Sequence, residues 1–171
     1  MNLKYFSLFA ALFLLTNSSN ALDSDRQQPI RIQADAAIVD EKAGISIYKG
    51  NVLILQGTLQ LTADEVEIYT AESEVIQIIA KAANNKGMIA KYEQRTEESK
   101  ELVRAEAQTI TYLVQEERLH LSGSAKLWQA EDTFTGELLF YDLGRRIVNL
   151  NSDGNKSRVN MTITPKKSSD Q

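Results

Sequence analysis

The chain has no cysteine, one histidine, one tryptophan and two prolines in 171 residues. Without cysteine there is neither a disulfide framework nor a thiol nucleophile, so stability has to come from strand pairing and apolar burial. One histidine and no His/Asp/Glu spacing of ligand type rule out most metal sites, and no metal or cofactor is expected. His120 sits between Leu119 and Leu121 without a Ser or Cys partner motif, and reads as a sheet-face residue. The glycines are scattered and precede no helix, which removes a phosphate-binding loop. Basic charge is also short, 19 Lys and Arg against 23 Asp and Glu for a net charge of −4, which argues against a nucleic-acid partner.

The one long apolar run is Tyr5–Leu15, behind the basic Lys4 and ahead of the small polar exit Asn17–Ala21. It is far shorter than the ~20 residues needed to span a bilayer. Ser19 and Ala21 occupy the small positions read by a signal peptidase, so residues 1–21 are expected to be a cleaved export signal. Residues 22–165 are expected to form a single domain and 166–171 a disordered polar tail.

What remains is β pattern. Ile45–Tyr69 (ISIYKGNVLILQGTLQLTADEVEIY) reads as four short strands, punctuated by Gly50-Asn51, Gln56-Gly57 and Ala63-Asp64. Its apolar residues recur at every second position, the period that puts side chains on one face of a sheet. A related pattern returns over His120–Tyr141. Gly50 matches Gly123 and Ala63-Asp64 matches Gly136-Glu137, each separated by 73 residues, from 50 to 123 and from 63 to 136. Elsewhere, Pro29–Asp35, Val75–Ala80, Met88–Tyr92, Leu102–Leu113, Arg145–Leu150 and Arg158–Ile163 read as strands. The fold class is therefore all-β and antiparallel. The Pro29–Asp35 and Arg158–Thr164 strands are candidates for two unpaired edges, which invite pairing with another chain.

Carboxylates are plentiful, so an acid–base pair for glycan hydrolysis has the raw material. Asp35, Asp64 and Glu106, however, each follow an alanine at strand ends, where turn chemistry accounts for them. Trp128, Tyr112, Tyr141, Phe134 and Phe140 read as core aromatics. Two apolar sheets that close would make a dry scaffold able to polymerise through its edges. Two that splay would make a lipid-sized groove.

Ala34-Asp35, Gly50-Asn51-Val52, Gln56-Gly57 and Ala63-Asp64-Glu65-Val66, with Thr135-Gly136-Glu137 closing a second copy, resemble the OstA-like domain family. The second copy departs from the first in reading Gly123-Ser124-Ala125, and Lys81–Lys86 lacks the glycine expected of a turn there. The resemblance implies an open, slightly twisted antiparallel β-jelly-roll in the periplasm that carries lipopolysaccharide and catalyses no reaction. It implies protomers stacking end to end through edge strands, between an LptC-like inner-membrane protein and an LptD-like outer-membrane protein. Its N-terminal strand corresponds to Pro29, Ile30, Arg31 and Ile32. Its C-terminal strand corresponds to Arg158, Val159, Met161 and Ile163. Alternation then gives Ile30, Ile32, Ile45, Ile47, Val52, Ile54, Leu59, Leu61, Val66 and Ile68 as the set expected to face acyl chains.

Overall fold

A computed structural model describes residues 25–83, 89–96, 100–152 and 158–165; the expected export signal and polar tail lie outside them. The described residues form twelve antiparallel strands in one hydrogen-bonded sheet. In chain order these are β1 (Arg31–Gln33), β2 (Ala36–Asp40), β3 (Ile45–Gln56), β4 (Leu59–Ala71), β5 (Glu74–Lys81) and β6 (Ala90–Arg95). There follow β7 (Leu102–Ala107), β8 (Thr109–Leu113), β9 (Arg118–Gln129), β10 (Asp132–Asp142), β11 (Ile147–Asn151) and β12 (Asn160–Thr162). A short 3-10 turn, Asp25–Gln27, precedes them.

The sheet becomes a jelly-roll because its four long strands bend in the middle. The Ile45–Lys49 half of β3 pairs with β2, and its Leu53–Leu55 part pairs with β1. β4 divides in the same way between β6 and β5, β9 between β8 and β7, and β10 between β11 and β12. One layer therefore runs β2-β3-β4-β5-β8-β9-β10-β11, and the other runs β1-β3-β4-β6-β7-β9-β10-β12. Their inner faces share one apolar cluster that includes Ile54, Leu61, Ile78, Tyr92, Ile110, Leu121, Leu127 and Leu139.

The bends are β-bulges, and they fall on the repeat. Gly50 (φ 78°) and Asn51 (φ 47°) together face Asp64 where the β3–β4 register slips. Gly123 (φ 80°) and Ser124 (φ 52°) stand likewise opposite Glu137 where β9–β10 slips. At each of these bulges the extra residue bends the strand while its pairing continues on either side. The spacing is carried further by the breaks between β1 and β2 and between β7 and β8. Asp35 N–H donates to the Lys49 and Gly50 carbonyls (3.1 and 3.0 Å), and Gln108 N–H donates to the Gly123 carbonyl (2.9 Å). A Cβ on Gly50 would run into the Asp35 side chain, and one on Gly123 into that of Gln108.

These bulges correct the four-strand reading of Ile45–Tyr69. It is two long strands with one hairpin, at Gly57-Thr58; Gly50-Asn51 bends β3, and Ala63-Asp64 lies within β4. Glycine serves hairpin and bulge alike, so the punctuation alone does not separate them. The correction moves two side chains. An intervening turn would let the alternation restart, but a continuous β3 keeps Ser46, Tyr48, Val52, Ile54 and Gln56 on the inner face. Ile45 and Ile47 pair with Tyr69 and Glu67 and point outward. Leu102–Leu113 is likewise two strands, since Val103, Ala105 and Ala107 point inward before Gln108, and Ile110 and Tyr112 after it. Of the five aromatics, Tyr112, Tyr141 and Phe134 are buried. Trp128 pairs with Arg104 on the outside, and Phe140 meets His120 edge-on there, ring centroids 4.8 Å apart.

Candidate functional site

The feature with functional potential is the strip of inner face running from one edge of the roll to the other. Of the set expected from alternation, Val52, Ile54, Leu59, Leu61, Val66 and Ile68 lie on it, with Ile54, Leu61 and Val66 fully shielded from solvent. Ile30 and Ile32 pack against the same cluster, half-buried at its N-terminal end. Ile45 and Ile47 do not join it.

At each end of the strip the sheet has strands with one unpaired edge: β1 and β2 on one side, β11 and β12 on the other. Pro29, Ile30, Arg31 and Ile32 lie on or beside β1; Arg158, Val159, Met161 and Ile163 lie on or beside β12. The large exposed apolar residues concentrate here: Ile38 and Val39 on β2, Ile147 on β11, and Val159, Met161 and Ile163 along β12. Sequence reasoning missed β2 and β11 as edge strands. The repeat could have found β2, since Ala36–Asp40 stands at the same spacing from Thr109–Leu113.

Within the chain, the repeat counterparts of the edge strands β1 and β2, which are β7 and β8, are paired with other strands. β5 pairs with β8 through Ile78↔Tyr112 and Ala80↔Ile110, and β6 pairs with β7 through Tyr92↔Ala105. Ion pairs Lys91–Glu106 (3.5 Å) and Glu93–Arg104 (3.3 Å) line the outer side of the β6–β7 junction. β11 occupies the place of β5, because Tyr141↔Val148 and Leu139↔Leu150 repeat Ile68↔Ile78 and Val66↔Ala80. β12 occupies the place of β6, because Phe134↔Met161 repeats Leu61↔Tyr92.

Apart from the buried tyrosines Tyr92 and Tyr141, the groups with shifted pKa values sit outside the strip. Burial lowers the His120 pKa on the outer face. Glu67 is lowered chiefly by its hydrogen bond from Lys81, and Lys81 is raised by the same bond. Asp64 accepts from the Ala83 N–H (2.6 Å) and Glu137 from that of Ser124 (3.4 Å), so both bulge carboxylates serve the backbone. Among the described residues no group of three or more His, Cys, Asp or Glu could hold a metal ion.

Comparison with known proteins gives this arrangement a context. Residues 31–146 match the family described as LptA/(LptD N-terminal domain) LPS transport protein. The lipopolysaccharide export system protein LptH of Pseudomonas aeruginosa is 38% identical over 95% of this chain and 93% of its own. The corresponding protein LptA of Escherichia coli K12 is 25% identical over 96% of this chain and 86% of its own. The crystal structure of P. aeruginosa LptH, described as the LptA-homologous periplasmic component of a lipopolysaccharide transport device, superposes with a TM-score of 0.73. It is 35% identical and covers 83% of this chain and 99% of that one.

Proposed function

The chain belongs to the LptA/LptD N-terminal domain family of lipopolysaccharide transport proteins, and from that premise we propose that it is a periplasmic bridge segment. It holds the acyl chains of lipopolysaccharide between its layers and passes them along the strip from edge to edge. Residues 1–21 direct export and are removed, residues 22–165 form the single carrier domain, and 166–171 are its polar tail. No reaction is catalysed. Acyl burial contributes ~0.8 kcal/mol per CH₂, so an apolar strip holds this cargo without reactive groups. The observation that carries the reading is the position of the strip: it is continuous with unpaired, apolar edges at both ends.

In this proposal the edges join copies of the chain end to end, and the outermost copies join LptC-like and LptD-like domains at the two membranes. The internal β5–β8 and β6–β7 junctions supply the register. They put Val148 against Val39 of a second copy, Leu150 against its Ala37, and Met161 against its Ile32. All of these are inward-facing apolar pairs. The pairing is heterologous, so nothing within one interface closes it into a ring.

A photo-crosslinking residue at Ile32 or Ile54 tests the cargo, with lipopolysaccharide detected on the crosslinked band and Ile47, which faces outward, as control. Labelling at both inner sites but not at Ile47 supports the carrier. No labelling at Ile32 or Ile54 in folded protein rejects it. The dry packing of the interior favours one competing reading, a scaffold that polymerises without cargo. Under that reading oligomers form and no lipid is bound. A chain free of native cysteine makes the register directly readable: Val39→Cys with Val148→Cys should give a disulfide-linked ladder, and Ile38→Cys with Val148→Cys should not.

A further inference from the structure

The inner strip is closed along the side away from the bulges, where the tips of the two layers approach each other. A cavity of about 120 Å³ lies there, lined by Gln94, Arg95 and Thr96 of one layer and by Tyr112, Glu117, Leu143 and Arg146 of the other. Two ion pairs cross this mouth. Arg146, in the turn after β10, reaches over to Glu101 at the start of β7, and also faces the Gln129 amide at the end of β9. Arg26 pairs with Glu117, in the turn between β8 and β9.

Arg26 belongs to a segment lashed to the opposite layer. Asp25 accepts from the Thr58 N–H (2.7 Å), the Thr58 hydroxyl (2.5 Å) and the Gln94 amide (2.8 Å). Gln56, the buried polar side chain of the core, donates to the Arg26 and Gln28 carbonyls (both 3.1 Å). The 3-10 turn is thus a strap anchored on one layer, with its guanidinium fastened to the other. All four members of the two ion pairs are partly exposed, so water and ions reach them and neither pair is strong alone. Arg95, whose guanidinium donates to the Lys100 carbonyl (3.2 Å), adds a third cation to the rim.

We propose that this mouth is an entry site for an amphiphile with an anionic headgroup, clasped shut by Arg26–Glu117 and Arg146–Glu101. The inference rests on the carrier reading above and adds where and how cargo enters. An anionic headgroup presents the same fork-matching oxygens that Glu101 and Glu117 present, so it takes their arginines by exchange. With the carboxylates displaced, the strap no longer ties the layers, the tips part, and the acyl chain meets Tyr112, Leu143 and the apolar strip behind them. Headgroup recognition and opening are then one event.

Two double variants separate the roles. Glu101→Gln/Glu117→Gln removes the clasp but keeps the arginines. Arg26→Gln/Arg146→Gln removes the clasp and the anion site together. Entry of a neutral fluorescent probe, N-phenyl-1-naphthylamine, and loading of purified lipopolysaccharide are timed in stopped flow, with circular dichroism confirming the fold. Neutral-probe entry should quicken in both variants, by about fivefold for two exposed ion pairs. Lipopolysaccharide loading should quicken in the glutamate variant and slow in the arginine variant. Unchanged probe entry in both overturns the clasp, and lipopolysaccharide loading that follows the probe in the arginine variant overturns the headgroup site. Failure of the wild-type chain to load lipopolysaccharide strikes the carrier reading instead, and leaves the probe result to decide the clasp.

Discussion

Tyr92 and Tyr112 meet edge to face across the interior, their ring centroids 5.6 Å apart and their planes inclined at 64°. One comes from β6 and the other from β8, so the contact joins the two layers rather than neighbours within one. Both rings are buried, and burial raises the Tyr92 hydroxyl well above its ordinary pKa. That hydroxyl donates to the Gln94 side-chain carbonyl, which places the pair directly beneath the mouth.

Removing the Tyr92 ring should therefore loosen the layers as well as leave a hole. Tyr92→Ala is expected to cost about 3–5 kcal/mol, as for other buried aromatics. Tyr92→Phe, which keeps the ring and loses one hydrogen bond, should cost about 1 kcal/mol. Urea unfolding of the two variants checks this; equal losses would mean that the ring contact does not hold the roll.

The bulge glycines should tolerate no side chain. Gly50→Ala and Gly123→Ala each force an L-residue into the left-handed region, at about 1–2 kcal/mol, and drive a Cβ into Asp35 or Gln108. Gly136 is the internal control, since its added Cβ would stand 3.5 Å from Val159 in ordinary contact. Thermal melting should place both bulge variants clearly below Gly136→Ala. Parity among the three would mean that the bends do not depend on left-handed backbone.

Acid should act on the outer face in two windows. The Lys81 hydrogen bond holds Glu67 below its ordinary 4.5, so its stabilisation is present above that value and is lost as pH falls through the folded pKa. Lys81, raised from 10.5, gives stability that is complete below that value and is lost as pH rises through its folded pKa. His120 is lowered from 6.5 by burial, so protonation favours the unfolded chain, and stability declines as pH drops below 6.5 until the folded pKa is reached. Melting temperatures across pH should show the first acid limb shallower in His120→Phe and the lower one shallower in Glu67→Gln. Superimposable curves for wild type and Glu67→Gln would remove the ion pair from the explanation.

The repeat was legible in the sequence because its markers are residues with a backbone reason to be there: Gly50 and Gly123 hold left-handed geometry at a fixed spacing. What the markers do was not legible, since a glycine that bends a strand and one that reverses it look alike in a string of alternating residues. That ambiguity alone misplaced Ile45 and Ile47, while Val52, Ile54, Leu59 and Leu61, next to the true hairpin, fell on the face expected of them. The mouth left no trace at all. Arg26 and Glu117 are 91 residues apart and Arg146 and Glu101 are 45 apart, and no local pattern connects charges at such range.

The doubled architecture also has a polarity. β1 and β2 lie at one end and β11 and β12 at the other, and in the proposed register the two ends are not interchangeable, because each is the complement of the other rather than its copy. Any row of such molecules joined edge to edge is therefore an arrow. A foreign sheet that offers only the β11–β12 kind of edge has one place to sit, at the tail, and one that offers only the β1–β2 kind has its place at the head. In the proposed row, backbone hydrogen bonding would set the direction before any cargo arrived, and the number of links would leave it unchanged.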